Sequence, residues 1–193
     1  MTQPNLTKPQ TFTAIFEDKV DYEEKFSHYS FELKQPHQID FKAGQYLSLK
    51  VNDEGLRRSY SIISDPDIKH GVEILLDNTP QGPGTKYLQS LQFGDEIEFL
   101  APLGDFTVKQ DQTEQALTFV ATGSGIAPLR AMIHDQLKNK EDDRPIILYW
   151  GLRYIDDLIW EDEFGNLTKY FSNFKFHPVL SKPVKDWPLC RGR

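Results

Sequence analysis

Arg58-Ser59-Tyr60-Ser61 places a fixed cation, a flat aromatic ring and two hydroxyl groups within four residues. In an extended strand the side chains alternate between faces, so Arg58 and Tyr60 point one way while Ser59 and Ser61 point the other. One face can therefore hold a phosphate and stack a planar ring, and Ser61 at the end of the run can reach the rim of that ring with a hydrogen bond. These are the groups that a bound flavin needs, whereas an exposed strand with an arginine is the alternative interpretation.

The composition is that of a chain that can bury a sizeable core. Its 193 residues, 38% of them hydrophobic, suffice for one large domain or two small ones. No apolar run is long enough to cross a bilayer and Met1 to Gln10 is polar, so we expect a cytoplasmic protein without membrane insertion. The single cysteine, Cys190, excludes an internal disulfide, and the net charge of −7 argues against nonspecific binding to nucleic acid. The five histidines lack metal-ligand spacing, and we expect no metal site.

The first part of the chain has the pattern of short antiparallel strands. From Thr11 to about Val108, alternating runs are separated by turn signals, and one helix is predicted around Thr85 to Leu91. Six short strands at this spacing predict a closed barrel or a sandwich. The six runs are Phe12–Phe16, Tyr29–Leu33, Tyr46–Val51, Tyr60–Ile63, Val72–Leu76 and Glu96–Leu100.

The pattern changes after the polar stretch Gln110 to Gln115, which predicts a boundary between a domain of residues 1–112 and a domain of residues 113–193. Leu117–Ala121 is a continuous apolar run of the kind that is buried on both faces of a parallel sheet. Alternation of strands and helices after this point predicts the opening of a doubly wound α/β domain. The helices are expected from about Ala127 to Lys138 and after the capping pair Asp156-Asp157, and the strands at Leu117–Ala121, Ile146–Trp150 and Phe174–Leu180.

Two glycine-containing loops are candidate phosphate sites. Gly82-Pro83-Gly84-Thr85 lies where the barrel's helix begins, so backbone N–H groups and the Thr85 hydroxyl could hold a diphosphate. Gly123-Ser124-Gly125-Ile126-Ala127-Pro128 lies between a buried strand and a helix, as a nucleotide-binding loop requires, and Pro128 suits a first helical turn. Each loop alone also fits an ordinary turn, with Thr85 as a helix cap in the first.

Taken in this order, the three segments resemble the ferredoxin–NADP reductase family of flavoproteins. Phe41 to Tyr46 is similar to the Gly-Gln strand start of that family, and Pro102 to Phe106 is similar to the end of its barrel. Gly151-Leu152-Arg153, followed by Asp156-Asp157-Leu158, resembles the segment after the next strand. The resemblance covers nearly the whole chain. It implies a six-stranded antiparallel Greek-key barrel that binds FAD, followed by a partial doubly wound parallel α/β domain that binds NADP or NAD.

The resemblance also implies roles for individual residues. In Arg58-Ser59-Tyr60-Ser61, Arg58 would contact the FAD phosphate, Tyr60 would stack on the isoalloxazine and Ser61 would lie near the flavin N5, so Tyr60 and Ser61 are the catalytic candidates. Gly82 to Thr85 would hold the FAD diphosphate, and Gly123 to Pro128 the diphosphate of the nicotinamide dinucleotide. Arg153, Ser181 and Lys182 lie where members that prefer NADPH place groups for the 2′-phosphate; surface solvation is the alternative for Lys182.

The chain departs from the family at its end. The nicotinamide domain of the family has five parallel strands, whereas the sequence supplies three before Arg193, so we expect a truncated chain. Cys190 is expected to be an ordinary thiol, because Arg191 rather than Gly follows it and because it lies before the position where the family's Cys-Gly segment beside the nicotinamide would begin.

The family's chemistry leaves three functions open. A flavin accepts a hydride from a nicotinamide and passes electrons on singly or in pairs. The chain can be an FAD-dependent NAD(P)H reductase that serves a carrier such as ferredoxin or flavodoxin, the flavin component of a larger redox complex, or a flavin-binding module without turnover. The sequence leaves the acceptor and the oligomeric state undetermined.

Overall fold

The computed structural model describes residues 8–109 and 113–192. The predicted domain boundary at 112/113 falls at residues 110–112, which lie outside the described residues, as does part of the polar N-terminus. Residues 8–109 fold into six strands and one helix. These elements are β1 (Gln10–Tyr22), β2 (Phe26–Gln35), β3 (Tyr46–Lys50), β4 (Arg57–Ser61), β5 (Gly71–Asp77), α1 (Pro83–Ser90) and β6 (Glu96–Leu103).

The six strands pair antiparallel in the order β4-β3-β6-β1-β2-β5, in which β6 returns between β1 and β3 as in a Greek key. The two edge strands meet where a bridge joins Ile62 to Ile74 and the Ile63 N–H bonds to the Glu73 carbonyl at 2.9 Å. These contacts close the sheet into a barrel, as the sequence predicted. Closure matters for the site because it holds β4 beside β5.

Alternating apolar residues build the interior of the barrel. In β1 the side chains of Phe12, Ala14 and Phe16 are buried, while the residues between them are partly exposed. The Phe12 ring stacks on Phe99 of β6 with centroids 5.4 Å apart. Two-residue periodicity therefore gives each strand one core face, as a half-buried sheet requires.

Two segments that the sequence singled out meet at the open end of the barrel. Gln45 accepts a hydrogen bond from the Lys42 N–H at 2.8 Å and donates one to the Gly104 carbonyl at 2.9 Å. Gly44 has a φ of +98°, and a Cβ there would lie 2.0 Å from the Phe106 carbonyl oxygen. Only glycine fits this close approach, which explains the Gly-Gln pattern in structural terms.

The second part of the described chain is a parallel sheet with helices. Its strands follow one another in the order β10-β9-β8-β7. The fold class predicted from the sequence, an antiparallel barrel followed by a parallel α/β domain, is confirmed. The elements are β7 (Leu117–Thr122), α2 (Ile126–His134), β8 (Ile146–Leu152), α3 (Glu161–Tyr170), β9 (Phe174–Leu180) and β10 (Cys190–Arg191).

Burial on the parallel sheet differs from the prediction. Phe119 and Ala121 of β7 are buried, but Val120 between them is 70% exposed, so the prediction that this run is buried on both faces is wrong. The strands add in one direction, and right-handed crossovers then place α2 and α3 on the same face. That face contains Trp150, which packs against Phe164 of α3 with ring centroids 6.1 Å apart.

Two further details also differ from the sequence-based expectations. Asp156 and Asp157 belong to a 3₁₀ turn, and α3 begins later, at Glu161. The predicted cap is therefore wrong, because the Asp157 carboxylate accepts the Tyr154 N–H at 3.2 Å and pairs with Lys25 at 2.7 Å instead. The described residues also contain a short fourth strand, β10, where three strands were expected.

Candidate functional site

A groove of about 380 Å³ lies where the barrel meets the parallel sheet. Its walls come from β4, from the end of β5, from the start of α1 and from the loop after β7. Three separate segments of predicted site residues therefore face one space. They contribute Arg58, Ser59, Tyr60 and Ser61 from β4, Gly82, Gly84 and Thr85 at α1, and Ser124 and Ala127 at α2.

Arg58 and Tyr60 lie on the side of β4 that faces the start of α1. A Cβ placed on Gly84 would be 2.3 Å from the Tyr60 hydroxyl oxygen and 3.0 Å from Cγ of Arg58. The glycine thus allows the first turn of α1 to approach both side chains closely, which a larger residue would prevent. The space that a Cβ would fill is taken by the Tyr60 hydroxyl and the stem of Arg58, so Gly84 lets both side chains lie against the start of α1.

The guanidinium of Arg58 is available for an anion. Its one hydrogen bond goes to the Arg57 carbonyl at 2.7 Å, and no carboxylate within residues 8–109 and 113–192 pairs with it. Arg57, its neighbour, points to the other side and bonds to Glu98 at 2.6 Å and to the Ser48 carbonyl at 2.8 Å. Adjacent arginines on one strand therefore have different tasks: Arg57 stabilises the barrel and Arg58 faces the groove.

The start of α1 supplies backbone donors to the same groove. Gly82 precedes the helix without a side-chain cap, and Pro83 occupies the first turn. The N–H groups of Gly84 and Thr85 have no partner among the described residues, as expected for a first helical turn. Unpaired donors at the positive end of a helix favour an anion there.

The hydroxyl of Thr85 does not face the groove as a free donor. It bonds to the Pro80 carbonyl at 2.5 Å, and Thr85 is buried. Thr85 is also not the helix cap, since that position belongs to Gly82. Its side chain holds the turn before α1 closed, and the part of Thr85 that an anion could reach is its backbone N–H.

Tyr60 is a neutral ring at the edge of the groove. Burial raises the pKa of its phenol above the ordinary value of 10.0, although the charge of Arg58 opposes this shift. The phenol therefore stays protonated across the physiological range. Ser61 follows at the end of β4, opposite Tyr46 of β3, and its side-chain hydroxyl has no hydrogen-bond partner in the described part of the chain. A neutral flat ring beside an available hydroxyl suits a planar heterocycle.

The loop between β7 and α2 presents the second predicted phosphate site. Gly123 has a φ of +51°, a left-handed conformation that favours glycine, and Gly123 to Gly125 form a 3₁₀ turn before Ile126. The Trp150 indole N–H bonds to the Gly123 carbonyl at 3.0 Å and so fixes the loop against β8. Pro128 lies in the first turn of α2, where its missing N–H costs no hydrogen bond.

The remaining predicted residues meet beyond the ends of β8 and β9. Arg153 and Ser181 line a pocket of about 440 Å³ that also contains Gly123. The N–H of Lys182 bonds to the Arg153 carbonyl at 2.9 Å, so the two cationic residues are adjacent. Both charges lie over the ring of Tyr154, at 5.5 Å for Arg153 and 5.7 Å for Lys182. Neither forms an ion pair with a carboxylate among the described residues.

Sequence reasoning missed several residues that shape these pockets. Tyr154, whose ring both cations contact, follows β8 without any motif of its own. The indole of Trp150 supports the glycine loop from the next strand, and only the paired register of β7 and β8 reveals that contact. The groove at β4 is further lined by Leu75, Leu76, Asp77 and Pro80 from β5 and the turn after it.

A larger cavity, of about 680 Å³, lies on the other side of the seam between barrel and sheet. None of the predicted site residues lines it; it is bordered by Lys42, Lys69 and Lys140 among others. Size alone therefore does not identify the site, whereas the convergence of three motifs on the smaller groove does. In residues 8–109 and 113–192 no helix is long and apolar enough to cross a membrane.

Two family models match the chain. An oxidoreductase FAD-binding domain matches residues 14–108, and an oxidoreductase NAD-binding domain matches residues 119–193. The first model includes β4 and the start of α1, and the second includes the glycine loop and Arg153.

Curated relatives are similar over most of the chain. A subunit of the Na(+)-translocating NADH-quinone reductase of Psychrobacter cryohalolentis is 32% identical over 171 residues, which are 82% of this chain and 41% of that protein. An uncharacterized oxidoreductase of Saccharomyces cerevisiae is 30% identical over 164 residues, 83% of this chain and 52% of that protein. The chain thus spans about two fifths to one half of the length of these relatives.

Solved structures have the same fold. The cytochrome P450 reductase of Amycolatopsis superposes with a TM-score of 0.85 at 28% identity, covering 95% of this chain and 55% of that one. A ferredoxin NADP+ reductase of Neisseria gonorrhoeae with bound FAD and NADP superposes with a TM-score of 0.79 at 21% identity, covering 97% of this chain and 74% of that one. The second likeness concerns the fold alone.

Proposed function

The chain belongs to the oxidoreductases that combine an FAD-binding domain with an NAD-binding domain, and we propose that it transfers a hydride from NADH or NADPH to FAD and passes electrons on to a carrier protein or a partner in a complex. FAD supplies the redox chemistry when bound, because its flavin accepts a hydride and releases electrons singly or in pairs. We further propose a cytoplasmic location, which the single cysteine favours.

The observation that supports this function best is the convergence of three separate segments on one groove. The cation of Arg58, the N–H groups of Gly84 and Thr85, and the ring of Tyr60 fit a dinucleotide whose phosphates lie at the start of α1 and whose flavin lies along β4. Ser124 and Ala127 of the second domain line the same groove, so a nicotinamide held at the glycine loop would approach the flavin there.

The residues of the chain act mainly by alignment. Tyr60 would hold the plane of the flavin, and the Ser61 hydroxyl would offer a hydrogen bond at its edge, where charge changes during transfer. Gly84 allows Tyr60 and Arg58 to lie against the start of α1, where the diphosphate would bind. Gly123 and Trp150 together hold the turn that positions the nicotinamide dinucleotide.

Two acceptor types fit this proposal. The Psychrobacter relative is part of a quinone reductase by its name, which supports a role for this chain as the flavin part of a larger complex. The Amycolatopsis relative is a cytochrome P450 reductase, which supports a separate carrier or partner enzyme. In both cases the hydride would be accepted in the groove of this chain, and the final electron acceptor would be selected by parts of the assembly outside that groove.

The first experiment separates cofactor binding from turnover. The purified chain is reconstituted with FAD, and its visible spectrum is recorded before and after anaerobic addition of NADPH or NADH. We expect a flavin spectrum that bleaches on addition. Arg58→Ala should lose FAD on gel filtration, because a charge-assisted hydrogen bond contributes about 1.5–3 kcal/mol, or roughly 10- to 150-fold in affinity. Arg57→Ala is the matched control, because Arg57 lies on the same strand but points to the opposite side, and this variant should keep FAD.

Full FAD occupancy in Arg58→Ala would contradict the assignment of the groove. Loss of FAD in both arginine variants would indicate damage to the barrel instead, so the melting temperature is measured on each. A parent chain that binds FAD but does not bleach would restrict the proposal to flavin binding without turnover.

The pair of cations over Tyr154 supports NADPH as the preferred donor. Arg153→Ala and Lys182→Ala should each raise the KM for NADPH by about tenfold while the KM for NADH stays constant, because only NADPH has the 2′-phosphate. Lys175→Ala, an exposed lysine at the far end of β9, is the control. Equal changes for both nucleotides, or a parent chain that prefers NADH, would exclude the phosphate role.

A further inference from the structure

A cluster of partly buried charges spans the seam between the barrel and the second domain. Arg130 on α2 is at its centre, with its side chain 16% exposed. Its Nε and Nη2 bond to the two carboxylate oxygens of Glu163 on α3 at 2.8 and 3.1 Å. Its Nη1 reaches across the seam to the barrel, where it bonds to the Ile63 carbonyl at 2.8 Å and lies 3.8 Å from Glu73 of β5.

The two ends of this contact belong to the two predicted cofactor segments. Ile63 lies two residues after Ser61, and its own N–H is bonded to the Glu73 carbonyl, so it continues the line of β4. Arg130 lies one helical turn after Ile126, where α2 leaves the glycine loop. A single side chain therefore connects the strand that faces the flavin position to the helix that begins at the nicotinamide loop.

Other groups restrict the guanidinium in its plane. The Trp160 ring lies under it at 5.0 Å, and the Nε2 of His134, one turn further along α2, lies 2.6 Å from the same Glu163 carboxylate. Glu73, on the barrel side of the cluster, also pairs with His28 of β2 at 3.2 Å. The Glu163 carboxylate, the Ile63 carbonyl and the Trp160 ring therefore fix the Arg130 side chain from three directions.

Such a cluster is better suited to fixing geometry than to adding stability. Removing charges from water costs several kcal/mol per ion in typical proteins, so a buried ion pair contributes little net stability compared with apolar packing. A bidentate arginine nevertheless fixes the direction and the distance of its partners. Arg130 does not line the groove formed by Arg58 and Ser61, so its effect on the reaction has to be indirect.

We propose that Arg130 is a positioning residue for hydride transfer: by bonding to Glu163 and to the Ile63 carbonyl, it sets the distance between the nicotinamide loop and the flavin strand. The proposal rests on the proposed function for its kinetic consequence. The geometric consequence, a fixed arrangement of the two domains, does not depend on any cofactor.

The geometric test uses the single cysteine of the chain. Cys190 is exposed on β10, and Glu32→Cys adds a second label site on the outer face of the barrel. The distance between spin labels at these positions is measured by pulsed electron spin resonance without cofactors. Arg130→Ala should broaden the distance distribution, and Arg130→Lys, which keeps the charge and loses the fork, should broaden it less. Arg144→Ala is the matched control, because Arg144 also binds a carboxylate with its fork, that of Asp142 at 2.5 to 3.0 Å, but stays within the second domain.

The kinetic test follows flavin reduction in single-turnover mixing with NADPH or NADH. Arg130→Ala should keep FAD and lower the limiting rate by about tenfold to a hundredfold, since a misplacement of 1 Å can cost about that much. Arg144→Ala should keep the parent rate.

An Arg130→Ala chain with the parent's distance distribution and reduction rate would overturn the proposal, even if its melting temperature fell. A parent chain that is not reduced would refute the proposed function only, and the label distances would still decide whether Arg130 positions the domains.

Discussion

Replacing Gly84 with alanine tests the geometry of the groove most directly. The added Cβ would lie 2.3 Å from the Tyr60 hydroxyl oxygen and 3.0 Å from Cγ of Arg58. Because comfortable contacts are about 3.5 Å or longer, the Tyr60 ring has to move by roughly 1 Å. The free chain relieves the clash by moving Tyr60 out of place, and returning the ring to bind FAD costs about 1–3 kcal/mol, which predicts FAD affinity weaker by about 5- to 150-fold. Alanine favours a helix over glycine by up to about 1 kcal/mol, so the stability of the free chain should not fall in proportion.

The assay is titration of FAD into the chain, followed by quenching of flavin fluorescence, with thermal unfolding measured on the same samples. Gly165→Ala is the matched control, because Gly165 is also a helical glycine, a Cβ on it meets no atom within 4 Å, and it lies on α3 outside the groove. Adding Tyr60→Phe to Gly84→Ala should recover part of the affinity, since it removes the nearest atom. Equal FAD affinity in Gly84→Ala and Gly165→Ala would refute the reasoning that FAD binding requires Tyr60 in its place against Gly84.

Two further predictions concern the hydroxyl of β4 and the charges at the seam. Ser61→Ala should keep FAD and slow its reduction by about fivefold, the value of one hydrogen bond of about 1 kcal/mol; an unchanged rate would remove Ser61 from the reaction. The pKa of Glu73 lies below its ordinary 4.5, chiefly through the hydrogen bond with His28. Burial is the largest single effect on Glu163 and opposes its ionisation, but His134 and Arg130 together lower its pKa below 4.5 as well. Both carboxylates therefore stabilise the folded chain fully above about pH 4.5, and this contribution is lost as the pH falls through their lowered values. The free energy of unfolding, measured with urea between pH 7 and pH 3, should show this loss, and Glu163→Gln should make its pH dependence weaker. A Glu163→Gln chain with the parent's pH dependence would exclude Glu163 as a source of the loss.

The sequence predicted the parts of this molecule that depend on local pattern. Buried residues such as Phe12, Ala14 and Phe16 alternate at the two-residue period of a strand. The glycine loop at Gly123 is recognised from the strand before it and the helix after it, without reference to distant parts of the chain. Such features follow from backbone geometry within a few residues. The six strands and the parallel order after them were therefore predictable.

Features that depend on strand order or on distant partners were not predictable in the same way. Val120 is as apolar as its neighbours, and it is exposed because strands added in one direction leave one sheet face without helices from residues 8–109 and 113–192. Asp157 has the sequence position of a helix cap, but Lys25, from the hairpin turn of the barrel, competes for its carboxylate. The hydroxyl of Thr85 was expected to face an anion and is bonded to Pro80 instead. In each case a tertiary partner outweighed the local preference.

The seam between the two domains combines two kinds of contact with different consequences. Ile63 and Leu75 of the barrel belong to the same apolar cluster as Met132 of α2, and such contacts resist separation. Apolar attraction is nevertheless non-directional, so it tolerates sliding or rotation of one surface over the other. The guanidinium of Arg130 supplies the missing direction, because its bonds to Glu163 and to the Ile63 carbonyl cannot all be kept if α2 turns relative to the end of β4. Transfer between two bound cofactors requires both properties, since it fails when the domains separate and also when they stay in contact at the wrong angle. An apolar seam with one directional polar cluster is therefore the arrangement we expect wherever two domains share one reacting pair.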